Sequence, residues 1–184
     1  MSNERSGVIT FKGGPLTLIG PALQVGEPAP EFSLRRGLGA STAYTLDTDA
    51  GKIRLLNIVP SLDTPTCDLQ TRRFNQEATA LGDGIVIVTI SMDLPPAQAR
   101  WCQAASVENL ITVSDYYDHS FGEAYGLRIK ELGLLSRSVI VIDGEGVVRY
   151  VQIVPEVSSE PNYEEALEAA LNVARPGCGC CCSA

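Results

Sequence analysis

The chain has 184 residues, 45% hydrophobic and 20% charged, the balance of a globular protein with room for one sizeable core. Fourteen basic against 22 acidic residues leave a net charge of −8, which excludes the clustered Lys and Arg of a nucleic-acid surface. No apolar stretch reaches the roughly 18 residues of a membrane span, and no apolar run follows the charges of Met1-Ser-Asn-Glu-Arg5. No secretory signal and no membrane contact are therefore expected, and the six cysteines are read in a reducing, cytoplasmic setting, where disulfides are transient and catalytic.

In chain order, Val8 to Phe11, Gly13-Gly14 and Leu16 to Ile19 predict a β-hairpin with a glycine turn. Gly26 to Pro30 is a turn-rich connection, and Glu31 to Leu34 and Tyr44 to Leu46 are short strand candidates. Ile53 to Val59 is the first core strand. Asp68 to Ala80 predicts a helix whose apolar face carries Phe74, Ala78 and Leu81 at i, i+4 and i+7. Cys67 starts on that inward side, while Arg72 and Arg73 are expected on the solvated face, or one of them turned back to an acidic partner. Ile85 to Ser91 is a near-continuous apolar run, suited to a parallel sheet covered on both faces.

Pro95 and Pro96 suit the first turn of a helix holding Ala97, Trp101, Ala104 and Ala105, with Cys102 one residue off that row and partly exposed. Leu110 to Val113 is a strand, and Ser120 with Glu123 has capping-box spacing. Ser138 to Ile142, the turn Asp143 to Gly146, and Val147 to Val154 form a second hairpin. Asn162 and Glu165 cap a last helix with Tyr163, Leu167, Ala170, Leu171 and Ala174 on its apolar face. Strands alternating with helices predict an α/β sandwich, one domain over 1–174, and a cysteine-rich tail over 175–184.

The stretch Pro60-Ser-Leu-Asp-Thr64-Pro-Thr-Cys67 places a cysteine where a strand hands over to a helix N-terminus, a position that favours an anion. An ordinary thiol, with pKa about 8.5, is only about 3% ionised at pH 7. Making it mostly thiolate takes roughly 3–4 kcal/mol of preferential stabilisation, and a helix start supplies about 1–2 of that. A nearby cation is needed. The alternative is a buried, inert thiol.

Pro60, Thr64 and Cys67, spaced as Pro-x-x-x-Thr-x-x-Cys, resemble the peroxidatic motif of the peroxiredoxins. The longer run Asp63 to Asn75 is similar to the thiol peroxidase branch, the atypical two-cysteine peroxiredoxins. So are Asp93 to Cys102, Ser120 to Gly126, and Ile153-Val-Pro-Glu156. The resemblance covers about residues 5 to 174 and implies a thioredoxin-like sandwich, with a central mixed sheet flanked by helices and an N-terminal β-hairpin.

It implies that Cys67 attacks the peroxide, that the Thr64 hydroxyl meets the peroxide oxygens, that Pro60 shields the sulfur, and that Arg137 is the cation. Alternative readings are a plain turn hydroxyl for Thr64 and a surface arginine for Arg137. By the same resemblance Cys102 resolves the sulfenic acid as a disulfide, against the reading of a structural thiol beside Trp101. Both cysteines fall in predicted helices, and a disulfide needs Cα atoms within about 7 Å, so the helix carrying Cys102 is expected to unwind in part.

Reduction by thioredoxin and a homodimer are implied likewise, with hydrogen peroxide and alkyl hydroperoxides as substrates and no cofactor. His119, the only histidine, is read as solvated or capping, and Glu156 as surface charge. The tail departs from the family. Cys178, Cys180, Cys181 and Cys182 have either no essential role or one in binding a soft metal such as zinc or copper(I) or in redox exchange. Cys181 to Ala184 fits a prenylation box only formally. The rival functions are a peroxide redox sensor and a metal-binding protein built on this tail.

Overall fold

The computed structural model describes residues 3–39 and 43–175; the tail cysteines Cys178, Cys180, Cys181 and Cys182 lie outside them. A seven-stranded mixed sheet forms the centre, in the order β10-β9-β5-β6-β7-β3-β4. Its strands are β3 (Leu34–Arg35), β4 (Ala43–Tyr44), β5 (Ile53–Ile58), β6 (Ile85–Ser91), β7 (Ile111–Ser114), β9 (Ser138–Ile142) and β10 (Val148–Ile153). β5, β6 and β7 are parallel neighbours, while β9 runs antiparallel to β5. Helices α1 (Pro65–Leu81) and α2 (Pro95–Ala105) make the two parallel crossovers. Helices α3 (Ser120–Ala124) and α4 (Tyr163–Ala174) complete the layers.

Alternation along the central strands feeds two cores. Leu56, Ile58, Val88, Ile90, Ile140 and Ile142 meet Phe32, Tyr44, Phe121 and Tyr125 on one face. Ile53, Leu55, Ile87, Val139 and Val141 meet Phe74 of α1 and Tyr163, Ala166 and Ala170 of α4 on the other. Asn57 belongs to this second face and is fully buried, a polar residue amid an apolar strand.

The N-terminal hairpin is present, with β1 (Glu4–Phe11) and β2 (Gly14–Ile19) joined through Lys12 and Gly13, both at positive φ. It forms a second sheet with β8 (Arg128–Ile129), a strand too short to leave a periodic signal. Its base sits tightly against the end of α3: a Cβ on Gly126 would lie 1.9 Å from the Pro21 carbonyl oxygen. Only glycine fits, which accounts physically for the last residue of the Ser120 to Gly126 block.

Several local expectations shift. The first two short strands form later and earlier than expected, at Leu34–Arg35 and Ala43–Tyr44, where the residues pair with each other. In α2 the inward residues are Pro95, Gln98 and Ala105, and Ala104 is exposed. The small apolar side chains offer little burial to fix the helix's rotation, whereas the Gln98 amide donates to Ser91 Oγ (2.9 Å) and the Val113 carbonyl (2.8 Å). In α4 the buried row is Tyr163, Ala166 and Ala170, leaving Leu171 and Ala174 exposed, because small residues let the helix approach the sheet.

The capping box at Ser120 does not form. The carboxylate of Asp115 takes the N–H groups of Phe121 (3.1 Å) and Gly122 (2.8 Å) instead. At Asn162 the expected cap is made: its side chain accepts from the Glu165 N–H.

Candidate active site

Helix α1 begins three residues earlier than its apolar row suggests. Thr64 is its N-cap and Pro65 its first residue, so Cys67 sits inside the first turn rather than before it. Proline suits that position because its missing N–H would have no partner there. The sulfur is fully buried, in a small apolar cluster with Val59 and Leu62 against which Trp101 packs.

Arg137, at the entry to β9, is 2% exposed and spends its guanidinium on three partners. Nη2 faces Cys67 Sγ at 3.4 Å, Nη1 donates to Gln70 Oε1 at 2.6 Å, and Nε donates to the Val157 carbonyl at 2.9 Å. Gln70 is held in turn: its amide donates to Asn57 Oδ1 at 2.5 Å, and Asn57 donates to Thr89 Oγ1 (2.9 Å) and Thr71 Oγ1 (3.3 Å). A buried polar chain thus runs from the sheet to the guanidinium. Such a network fixes one orientation, because every unmade bond in it would be costly.

Pro60 is buried at the end of β5, and Thr64 is exposed, its hydroxyl donating to the Ser61 carbonyl at 3.1 Å. The loop between them is clamped by Asp93. Its carboxylate accepts from Ser61 Oγ, the Leu62 N–H and Ser91 Oγ, each at 2.7 Å. The second family-like block therefore begins with a residue that shapes the first.

The Cys102 thiol, half-buried, donates to Thr112 Oγ1 at 3.8 Å and is not bonded to Cys67; both are free thiols. Burial pushes the Cys102 thiol up from its ordinary value, with the Thr112 hydrogen bond pulling weakly the other way. A cavity of about 300 Å³ lies between α2 and the loop before α1, lined by Leu62, Asp93, Arg100 and Trp101 among others.

The redoxin family profile matches residues 24–167. The thiol peroxidase of Listeria innocua is 51% identical over 163 residues, covering 88% of this chain and 96% of that protein. That of Bacillus subtilis is 50% identical over 162 residues, covering 88% and 95%. The chain belongs to the thiol peroxidases of the redoxin family.

As a member of that family it is an enzyme, and its reaction is the reduction of peroxides. A peroxiredoxin-like protein from Aquifex aeolicus shares the fold with a TM-score of 0.83 at 36% identity, over 92% of this chain and 97% of that one. A thiol peroxidase from Chromobacterium violaceum, at 20% identity, matches in fold with a TM-score of 0.77, over 90% and 95%.

Within the peroxidase, Arg72 keeps a well-exposed side chain and also turns back to an acidic partner, the alternative left open for this pair. Its Nε pairs with Asp68 at 2.8 Å, its Nη1 donates to the Ala105 carbonyl at the end of α2 (2.9 Å), and its guanidinium lies over the Trp101 ring. Arg73 likewise pairs with Glu164 and stacks on Tyr163. Residue-by-residue reading missed Gln70, Asn57 and Asp93. The available signal was polarity out of place: Asn57 inside an apolar strand, and Gln70 and Thr71 one turn beyond Cys67 on an inward face. His119 takes a left-handed conformation at the start of α3, and its side chain does not cap the helix.

Proposed function

We propose that this peroxidase works through Cys67 as the attacking thiolate, with Arg137 holding sulfur and peroxide together. The supporting observation is the 3.4 Å approach of a fully buried guanidinium to Cys67 Sγ. Arginine keeps its charge when buried, so the site carries the cation that the helix start needed. The thiolate attacks one peroxide oxygen and the O–O bond breaks. The electron pair leaves on the other oxygen, which takes a proton to become water or an alcohol, and sulfur is left as sulfenic acid. Developing charge on the leaving oxygen is met by the guanidinium and by the Thr64 hydroxyl, after it turns from the Ser61 carbonyl. Pro60 limits water at the sulfur.

Cys102 then attacks the sulfenic sulfur, forming the Cys67–Cys102 disulfide and releasing water. Because Cys102 faces Thr112 in the reduced form, α2 must open for this step. Thioredoxin returns both thiols by dithiol exchange, its own pair becoming a disulfide. The enzyme acts in the cytoplasm as a homodimer, with residues 1–174 as its catalytic domain and the cysteine tail dispensable. Peptide mapping by mass spectrometry after one equivalent of hydrogen peroxide is expected to find Cys67 joined to Cys102. A Cys67 link to a tail cysteine would reassign the resolving role.

A further inference from the structure

The carboxylate of Glu156 sits at the meeting point of the N-terminal hairpin and the 154–158 loop. It accepts five hydrogen bonds: from Thr10 Oγ1 (2.8 Å), the N–H groups of Lys12 (3.0 Å) and Gly13 (3.2 Å), and the N–H (3.2 Å) and hydroxyl (2.5 Å) of Ser158. Backbone bonds run alongside, from the Thr10 N–H to the Pro155 carbonyl and from the Val157 N–H to the Thr10 carbonyl. The two residues after Glu156 then turn their carbonyls to the site. The Val157 oxygen accepts from Arg137 Nε (2.9 Å), and the Ser158 oxygen accepts from the hydroxyl of Thr66, the neighbour of Cys67 (3.2 Å).

We propose that Glu156 is a positioning residue for peroxide reduction: it pins the hairpin tip to this loop and so fixes the two carbonyls that aim Arg137 and the first turn of α1 at one point. This rests on the assignment of Arg137 and Cys67 above. It also gives the N-terminal hairpin, which lies outside the central sheet, a task in the chemistry. The hairpin turn aims two backbone N–H groups at one carboxylate, as an anion-binding turn does. Hydrogen bonds from Ser158 and Thr10 hold that carboxyl down at about 2, so it stays an acceptor on both oxygens at any working pH. The carboxylate lies at the surface, yet five donors converge on it. A neutral amide has a single acceptor oxygen and would turn its NH2 group toward donors.

The experiment is a double-mutant cycle in single-turnover peroxide oxidation of reduced, full-length enzyme, followed by the fluorescence of Trp101. Glu156→Ala is expected to slow oxidation of Cys67 about tenfold, the scale of a slightly misaimed catalytic group, with Glu156→Gln in between. Reduction of the preformed disulfide should be unchanged. In an Arg137→Met background the same Glu156→Ala change should cost clearly less than about tenfold, because the part of its effect that runs through the guanidinium is already lost. A full and additive loss in that background, or a wild-type rate for Glu156→Ala beside a slow Arg137→Met, overturns the proposal. A wild-type rate for Arg137→Met overturns the assignment of Arg137 itself. Should Glu156→Ala fail to fold, Glu156→Gln and Thr10→Val, which cuts the same staple from the hairpin side, carry the cycle with the same outcomes.

Discussion

Arg137 Nη1 donates to Gln70 Oε1 at 2.6 Å while Nη2 of the same guanidinium lies 3.4 Å from the Cys67 sulfur. The guanidinium therefore cannot rotate off the sulfur without breaking a buried, charge-assisted hydrogen bond. Gln70→Met keeps the volume and removes that acceptor. The expected result is an approximately tenfold slower oxidation of Cys67. A stability loss of about 1–3 kcal/mol should accompany it, from the unmet Asn57 and Arg137 groups. Stopped-flow oxidation and urea unfolding measure the two effects separately.

Arg72 ties α1 to the C-terminal end of α2 through the Ala105 carbonyl and the Trp101 ring. Its ion pair with Asp68 is well exposed on the arginine side and contributes little. Arg72→Met should therefore ease the opening of α2. Loss of one hydrogen bond worth about 1 kcal/mol corresponds to roughly fivefold faster disulfide formation after the oxidation burst. Quenching with a thiol-alkylating reagent at timed intervals reads this rate directly; an unchanged rate means that α2 opening does not limit resolution.

The raised Cys102 thiol gives resolution a pH dependence of definite sign. With α2 closed, burial favours the protonated thiol; with α2 open, the thiol returns to its ordinary range near pH about 8.5. The closed form therefore gains stability that is fully present below that range and lost as pH rises through it. Disulfide formation should accelerate from neutral pH toward pH about 9, for this reason and because more open-state Cys102 is thiolate. A rate that falls over the same interval would contradict an opening step.

Much of this arrangement could be read from residues alone, and the exceptions have physical causes. The central strands were marked by long apolar runs and Cys67 by its place between a strand and a helix, which act locally, whereas Arg137 and Cys102 were pointed to by the family resemblance. In α2 and α4 the inward faces were judged only in part: Trp101, Ala105, Tyr163, Leu167 and Ala170 pack inward as expected, but Ala104, Leu171 and Ala174 are exposed, and Gln98 and Ala166 take inward places the pattern did not assign. Glu156 looked like surface charge because three of its five donors come from the distant hairpin, and a staple across 146 residues leaves no spacing signal. Asp93 was hidden in the same way, since its hydrogen bonds from Ser61 and Leu62 span 32 and 31 residues and have no periodicity.

The most direct measurement is the stopped-flow reaction of reduced enzyme with hydrogen peroxide in the single variants Cys67→Ser and Cys102→Ser. Cys67→Ser should show no oxidation phase and no turnover with thioredoxin, its reductase and NADPH. Cys102→Ser should oxidise at the wild-type rate and then stall, with a sulfenic acid trapped at residue 67. Rapid peroxide consumption by Cys67→Ser would contradict the assignment of the attacking sulfur, and with it the role of every residue grouped around it.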